Sequence, residues 1–269
     1  MASLRTRLIL IVTGAVAIVT LGLLLLTLNA GCPSQERAPT CTRVLFIGNS
    51  YTTVNDLPGV FASLARSGGH RVETKSAAVD GWTLANHADS PATATALAAS
   101  PWDIVVLQEQ SQIPAIEEFR QTQMYPAARR LIGSIRNRGA RPLLYLTWGR
   151  RDGWPETGMP TYASMQSAID DGYLAIAADQ RVAIAPVGYA WDTLVTREAS
   201  ASLWQQDGSH PSEAGTYLAA CIFYATIFRE SPTGLGYHGS LSAETAAMIQ
   251  SVAAETVLGD PAKWPAPAE

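Results

Sequence analysis

The sequence has no excess of basic residues and no recognisable metal or nucleotide motif. It contains 19 Lys and Arg against 23 Asp and Glu, so its net charge of -4 excludes a basic surface for nucleic acid. The three cysteines and four histidines lack the spacing of zinc ligands, and no glycine-rich phosphate loop follows a predicted strand. We therefore expect no metal, no nucleotide and no other cofactor.

One long apolar run sets the N-terminus apart from the rest of the chain. Arg5 and Arg7 precede residues 8–28. This segment carries no charge and is long enough to span a bilayer as a helix. The arginines predict that the N-terminus stays in the cytoplasm and that the rest of the chain lies outside it, tethered to the membrane. Residues 1–31 are therefore interpreted as a signal peptide or membrane anchor, and cleavage would release a secreted protein.

The cysteines allow two arrangements. The letters AGC, which end at Cys32, resemble the end of a bacterial lipoprotein signal, so Cys32 is a candidate for lipidation; without cleavage the segment would stay as a signal anchor. Cys41 and Cys221 would then remain for a disulfide in an oxidising compartment. The alternative is that Cys221, inside the apolar run YLAACIFYATIF, is a buried thiol that behaves as a small hydrophobic residue.

Strand and helix patterns alternate after a linker at residues 32–42. Apolar runs predict strands at 43–48, 71–77, 103–108, 142–147 and 182–187. Helical patterns lie at 57–67, 91–99, 125–138, 162–179, 212–228 and 243–257. This alternation predicts an α/β fold in which a central parallel sheet is covered by helices on both faces. One domain over 43–260 and a tail at 261–269 are expected.

Three residues that follow predicted strands suit acyl transfer by a serine. Parallel strands bring the residues after their carboxyl ends to one edge of the sheet. There Ser50 is the candidate nucleophile, His210 the base, and Asp207 the group that orients the base. Each also has a non-catalytic interpretation, as a helix N-cap for Ser50 or Asp207 and as an exposed helix-start residue for His210. Because all three residues occur together, we favour the catalytic interpretation over the non-catalytic ones.

Donors for an oxyanion are expected at the same edge. The backbone N–H groups of Ser50 and Gly81 are two candidates, and the side-chain amide of Gln108 or Gln110 is the third. A plain turn glycine is the alternative for Gly81.

Aromatic and basic residues near this edge are candidates for substrate contact. Trp82 and Trp148 are predicted to bind substrate, with packing in the core as the alternative for Trp148. Arg150 and Arg151 follow the same strand as Trp148, where they suit an anionic group or are simply solvated.

These motif blocks resemble the SGNH (GDSL-like) hydrolase superfamily. FIGNS matches its serine block, DGWTL its glycine block and DGSHPSEAG its Asp-x-x-His block. The blocks occur in the order typical of the family, and the resemblance covers the chain from residue 43 onward. Asn49 stands where the family usually has aspartate, and Gln110 is in register with the asparagine of the Gly-x-Asn-Asp block. A subfamily catalogued as a domain of unknown function has similar variants. The resemblance implies a flavodoxin-like, three-layer α/β/α sandwich.

The resemblance also implies a function. It predicts a serine esterase that removes an acyl group, above all acetyl, from a carbohydrate outside the cytoplasm. The expected partners are this substrate and a membrane, which the N-terminal segment contacts. The alternatives are an acyltransferase with the same residues, and a catalytically silent binding module, which the altered asparagine block motivates.

Overall fold

A parallel sheet forms the centre of the computed structural model, which describes residues 32, 40–197 and 202–268. In this part of the chain its strands are β1 (Thr42–Gly48), β2 (Val72–Ala78), β3 (Ile104–Leu107), β4 (Arg141–Tyr145) and β5 (Ala183–Ala185). Their order across the sheet is β2-β1-β3-β4-β5, and every neighbouring pair is parallel. The predicted α/β fold class is confirmed.

Strand β1 lies between the two halves of the sheet. Val44 and Phe46 face one apolar cluster, whereas Leu45 and Ile47 face the other, and all four side chains are buried. Burial on both faces explains why the strand shows no polar alternation. The chain leaves β1 for β2 on one side and then crosses to β3 on the other. In sheets of this kind, a ligand crevice forms at the carboxyl end of the strands where the order reverses.

Helices cover both faces of the sheet. In chain order they are α1 (Ser50–Thr53), α2 (Leu57–Ser67), α3 (Leu84–Asp89), α4 (Pro91–Ala98), α5 (Glu117–Phe119), α6 (Tyr125–Arg136), α7 (Tyr162–Gln180), α8 (Val187–Thr196), α9 (Glu213–Phe228) and α10 (Ala243–Leu258). Apolar residues of α2, α8, α9 and α10 pack on the face of β1 that carries Phe46. Those of α3, α4, α6 and α7 pack on the face that carries Ile47. The molecule therefore has the three layers that the resemblance implies.

The six predicted helices lie where the apolar periodicity predicts them, whereas α1, α3, α5 and the ten-residue α8 were not predicted. Helix α2 matches its predicted bounds, whereas α1 and α3 span four and six residues. Such short helices contain too few turns for a periodic pattern. Helix α8 begins directly after Pro186, so no polar segment separates it from β5. The predicted strand therefore ran on to Val187, the first residue of this helix, and the rest of the helix was missed.

The cysteine predictions need correction. Cys32 and Cys41 form a disulfide, so the predicted Cys41–Cys221 pair is wrong. A sulfur in a disulfide cannot also carry a thioether-linked lipid, and the predicted lipidation of Cys32 therefore conflicts with this structure. Cys221 is a fully buried free thiol in α9, and burial raises its pKa. The alternative interpretation of Cys221 is the one that the structure supports.

This pairing predicts the number of reactive thiols. The full chain, produced in an oxidising compartment and denatured without reductant, should take up one alkylating group per molecule, on Cys221. After reduction it should take up three, because the sequence contains three cysteines. Peptide mass spectrometry measures both numbers, with a Cys221→Ala variant as the control that should show none before reduction. A diacylglyceryl mass on Cys32 would contradict the pairing.

The predicted membrane segment, residues 8–28, lies outside the described residues. Across 40–197 and 202–268, the helices are too short or too polar to cross a bilayer.

Candidate active site

The turn after β1 presents the hydroxyl of Ser50. Asn49 is the N-cap of α1, and its side-chain oxygen accepts a hydrogen bond from the N–H of Tyr51 at 3.1 Å. Ser50 is therefore not the capping residue. It is the first residue of the helix, where an N–H group has no intrahelical acceptor.

Ser50, His210 and Asp207 form one chain of hydrogen bonds. The hydroxyl oxygen of Ser50 lies 2.9 Å from Nε2 of His210. Nδ1 of His210 lies 2.5 Å from a carboxylate oxygen of Asp207. Because an ionised carboxylate can only accept, Nδ1 carries the ring proton and Nε2 is left to accept the serine hydrogen. The three residues lie together as the sequence predicts, and the arrangement can move a proton from Ser50 to His210.

Backbone groups hold the carboxylate of Asp207. Its second oxygen accepts hydrogen bonds from the N–H groups of Ser209 and His210, at 2.9 and 3.0 Å. Burial alone would raise the pKa of Asp207, but the hydrogen bonds from the His210 ring and from these N–H groups outweigh it and lower that pKa. Asp207 therefore stays ionised beside His210 at neutral pH. The N-cap of α9 is Ser212, so Asp207 does not cap that helix.

A cavity of about 390 Å³ opens over Ser50. Its lining residues come from the carboxyl ends of β1, β2, β3 and β4 and from the loop that carries His210: Asn49, Ser50, Tyr51, Asp80, Gly81, Gln110, Ser111, Arg150, Ser209 and His210. Gly81 has a φ of +75°, a conformation that side chains disfavour. Among the described residues no acceptor meets its N–H, which is therefore free to serve as an oxyanion donor.

The two glutamines have different surroundings. Gln108 is buried, and its amide nitrogen donates to Asn49 Oδ1 at 2.9 Å and to the Glu109 carbonyl at 2.6 Å. Both amide hydrogens are committed, so the prediction that Gln108 is an oxyanion donor is wrong. Gln110 lines the cavity, and its side-chain oxygen accepts from the N–H of Gln112 at 2.7 Å. The amide nitrogen of Gln110 donates one hydrogen to Gln112 Oε1 at 3.4 Å, and its second hydrogen has no acceptor among the described residues, so Gln110 is the side-chain candidate.

Gln108 instead supports the serine turn from below. Its side-chain oxygen accepts from the N–H of Asn49 at 2.9 Å and from the hydroxyl of Thr52 at 3.0 Å. A Cβ on Gly48 would lie 2.4 Å from that oxygen, so only glycine fits there. Sequence analysis missed this support. The available signal was that Asn49 departs from the usual aspartate and that Gln108 lies two residues before the equally altered Gln110.

His87 supports the same turn from the other side. It is buried, with Nε2 at 2.8 Å from the carbonyl of Gly48 and Nδ1 at 2.9 Å from the hydroxyl of Thr93. Burial lowers the pKa of His87, so the ring is neutral and donates from Nε2 to the carbonyl. Its role is structural.

The predicted substrate contact at Trp148 needs correction. Trp148 is fully buried, stacked between the rings of Tyr51 at 4.7 Å and Trp191 at 3.9 Å. Its indole N–H donates to the carbonyl of Ser209 at 3.0 Å. Trp148 therefore supports the site from within the core and does not face substrate. Trp82 is half-buried beside Gly81, and its contact with substrate stays a prediction.

Sequence analysis also missed Tyr51. Its hydroxyl lies 2.7 Å from that of Ser209, and its ring contacts the His210 ring edge-on, with 5.7 Å between centroids. Because Tyr51 follows Ser50 directly, these contacts join the serine turn to the histidine loop. Nothing in the local pattern distinguishes it from an ordinary core tyrosine.

A buried carboxyl group lies behind the cavity. Glu109 is fully buried, and one of its carboxyl oxygens accepts from the N–H of Leu84 at 2.9 Å and from that of Gln110 at 2.7 Å. The other oxygen has no partner among the described residues. Burial raises the pKa of Glu109 to about 7. Glu109 thus connects the loop that contains Gly81 to the turn that contains Gln110.

No metal-binding group is formed within residues 40–197 and 202–268, since no three His, Cys, Asp or Glu side chains converge there. The expectation that the reaction needs no cofactor remains a prediction.

Known structures resemble this chain over most of their length. A protein described as an SGNH hydrolase from Slackia heliotrinireducens is 32% identical, with a TM-score of 0.59, and the match covers 69% of this chain and 98% of that one. A DUF4886 family protein from Bacteroides uniformis is 19% identical, with a TM-score of 0.67 over 81% of this chain and 95% of that one. A GDSL-like lipase from Parabacteroides merdae is 15% identical, with a TM-score of 0.51 over 72% and 97%.

The last two similarities show a common fold alone. No family model matches the chain, and no curated relative was found. The Slackia protein, in contrast, shares about a third of its aligned residues with this chain across nearly its whole length. On this similarity, and with the serine, glycine and Asp-x-x-His blocks gathered at one sheet edge, the chain belongs to the SGNH hydrolase superfamily.

Proposed function

We propose that the protein is a serine esterase that removes a short acyl group, above all acetyl, from a carbohydrate. The observation that carries this proposal is the hydrogen-bonded chain from Ser50 through His210 to Asp207, at a cavity lined by Gly81 and Gln110. A nucleophile, a base, an orienting carboxylate and oxyanion donors are the groups that acyl transfer requires.

The proposed reaction has two stages. Ser50 Oγ attacks the ester carbonyl carbon while Nε2 of His210 takes the serine proton, and Asp207 stabilises the imidazolium. The N–H groups of Ser50 and Gly81 and the amide of Gln110 hold the oxyanion. Collapse of the tetrahedral intermediate breaks the bond to the alcohol oxygen, which receives the proton from His210. Water, deprotonated by His210, then attacks the acyl carbon. The bond from that carbon to Ser50 Oγ breaks, the acid leaves, and His210 returns the proton to Ser50.

The size and polarity of the cavity support a short acyl group and a polar alcohol. Its volume of about 390 Å³ is at the small end of ligand pockets. Asp80, Ser111 and Ser209 supply polar groups along its lining, which suit the hydroxyl groups of a sugar.

An extracytoplasmic location is part of the proposal. The Cys32–Cys41 disulfide supports it, because such bonds persist in oxidising compartments. The apolar residues 8–28 support attachment to a membrane as a signal anchor, or secretion after cleavage.

A fluorophosphonate probe tests the proposal directly, because it labels only a serine activated for nucleophilic attack. The full chain should become labelled on Ser50, identified by peptide mass spectrometry, and prior incubation with a short-chain aryl acetate should slow the labelling. Ser50→Ala is the control and should show no label. The wild-type protein should also hydrolyse aryl acetate faster than the matching long-chain ester.

Two other results would contradict the proposal. An unlabelled Ser50 together with no ester hydrolysis would favour a silent binding module of the same fold. A labelled Ser50 whose acyl group passes to a sugar hydroxyl, with little free acid among the products, would favour the acyltransferase.

A further inference from the structure

Arg150 places a positive charge in the cavity, and no carboxylate of the described residues pairs with it. It follows β4 and lines the cavity together with Ser50 and His210. Its Nε is buried and has no hydrogen-bond acceptor in the described part of the chain. Its guanidinium carbon lies 5.9 Å from the centroid of the Trp154 ring, and its charge also acts on the hydroxyl of Tyr51. That distance is near the outer limit of a cation–π interaction.

Within the described residues, no acidic group forms an ion pair with Arg150. Asp80 also lines the cavity, but the contact of its carboxylate is with the hydroxyl of Thr53, at 3.0 Å, and not with Arg150. Among the described residues no carboxylate oxygen lies within 4.0 Å of a nitrogen of Arg150. The guanidinium therefore keeps donors that the protein itself does not satisfy.

The neighbouring arginine is different. Arg151 has an exposed side chain that lies 3.2 Å from the carboxylate of Asp152 and 3.5 Å from the carbonyl of Gln206. Its charge is paired at the surface, outside the cavity lining. Two consecutive arginines thus have different roles, and Arg151 provides a matched control for Arg150.

The unpaired guanidinium indicates the chemistry of the missing ligand. Buried donors without acceptors are unfavourable, and the exceptions commonly mark sites that a ligand completes. The planar fork of an arginine pairs with two oxygens of a carboxylate, phosphate or similar anion. A neutral sugar hydroxyl would leave the charge uncompensated.

The position of the loop indicates which half of the ester carries the anion. The N–H of Arg151 donates to the carbonyl of Gly208 at 2.8 Å, so the loop with Arg150 adjoins the turn from Asp207 to His210. That is the side on which His210 returns a proton to the departing alcohol. The geometry points to an ester whose alcohol portion bears an anionic group bound by Arg150. This inference rests on the proposed esterase function.

Two acetyl esters that differ in charge test the assignment. The anionic one is the acetate of 4-hydroxybenzoate, and the neutral one is the acetate of methyl 4-hydroxybenzoate. The measured quantity is the ratio of kcat/KM for the anionic ester to kcat/KM for the neutral ester, which cancels changes common to both substrates. Arg150→Gln should lower this ratio by about 10- to 100-fold, as expected for loss of a charged hydrogen bond.

The control variants sharpen the result. Arg151→Gln should keep the wild-type ratio, and Arg150→Lys, which keeps the charge but loses the fork, should give an intermediate value. Added salt should lower the ratio of the wild-type protein more than that of Arg150→Gln. Circular dichroism melting curves verify that the variants are folded.

The outcomes separate this inference from the proposed function. Equal ratios in wild type and Arg150→Gln, with the neutral acetate still hydrolysed and Ser50 still labelled, would overturn the role of Arg150 and leave the esterase intact. A charge preference confined to esters of a dicarboxylic acid such as adipic acid would place the anion on the acyl side and overturn the assignment. Absence of both hydrolysis and labelling would remove the esterase function and this inference together.

Discussion

His210→Ala is expected to lower kcat/KM for ester hydrolysis by about 10⁴- to 10⁶-fold. The ring nitrogen Nε2 lies 2.9 Å from the hydroxyl of Ser50 and is the base that the structure offers to that hydroxyl. Without it the serine must lose its proton to water, and the leaving alcohol has no acid. Steady-state kinetics with an aryl acetate measure the loss.

A double variant tests whether Ser50 and His210 act together. Because either residue is useless without the other, Ser50→Ala with His210→Ala should cost about as much as either change alone. His70→Ala is the control, since His70 stacks on Phe228 and pairs with Glu230 outside the cavity lining. Losses that multiply in the double variant would show that the two residues work independently.

Glu109→Ala is expected to reduce both activity and stability. The substitution leaves the buried N–H groups of Leu84 and Gln110 without an acceptor, which costs about 1–3 kcal/mol each. The same two groups hold the loop of Gly81 and the turn of Gln110, so the oxyanion donors should lose their alignment. We expect kcat to fall by about 10²- to 10³-fold, with a smaller change in KM. Kinetics and denaturant unfolding measure the two effects.

Glu109→Gln separates the hydrogen bonds from the charge. A glutamine keeps one acceptor oxygen for both N–H groups, so its kcat should stay within a few-fold of the wild-type value. A similar loss of kcat in the Gln and Ala variants would mean that activity depends on the ionisable carboxyl group of Glu109. It would not then depend on the oxygen that accepts from the two N–H groups. Full activity in Glu109→Ala would contradict the positioning role altogether.

The raised pKa of Glu109 also predicts how stability depends on pH. Burial raises the pKa from 4.5 to about 7, so between these values the folded protein binds more protons than the unfolded chain. The free energy of unfolding should therefore decrease as the pH rises through this range, by about 3 kcal/mol from this group. Glu109→Gln cannot titrate and should lack that contribution. Urea unfolding at pH 4.5 and pH 8, compared between the two proteins, measures the difference.

The layers of the fold and the three hydrogen-bonded residues could be predicted from local patterns. A strand without polar alternation, as at Val44 to Ile47, is typical of a parallel sheet that is covered by helices on both faces. In such a sheet, the ends of consecutive strands share an edge, which brings Ser50 near His210 without knowledge of the strand order. The order itself depends on which strands pair, and each strand of this kind can pair with any other.

The site details that the sequence left open depend on contacts between distant segments. Gln108 and Gln110 have the same chemistry and lie two positions apart, and only the packing around β1 shows that Gln108 points into the turn of Asn49. Trp148 follows a strand as a substrate-binding residue would, yet the rings of Tyr51 and Trp191 enclose it.

The sequence by itself determined the fold class, the edge that bears the site, and the identity of Ser50, His210 and Asp207 as its candidates. These follow from periodicity, turn residues and motif order, which are properties of short segments. Only the tertiary structure decided the partner of Cys32, the burial of Glu109 and the unpaired state of Arg150. Whether a charge or a thiol finds a partner depends on distances between residues far apart in the chain, and packing sets those distances.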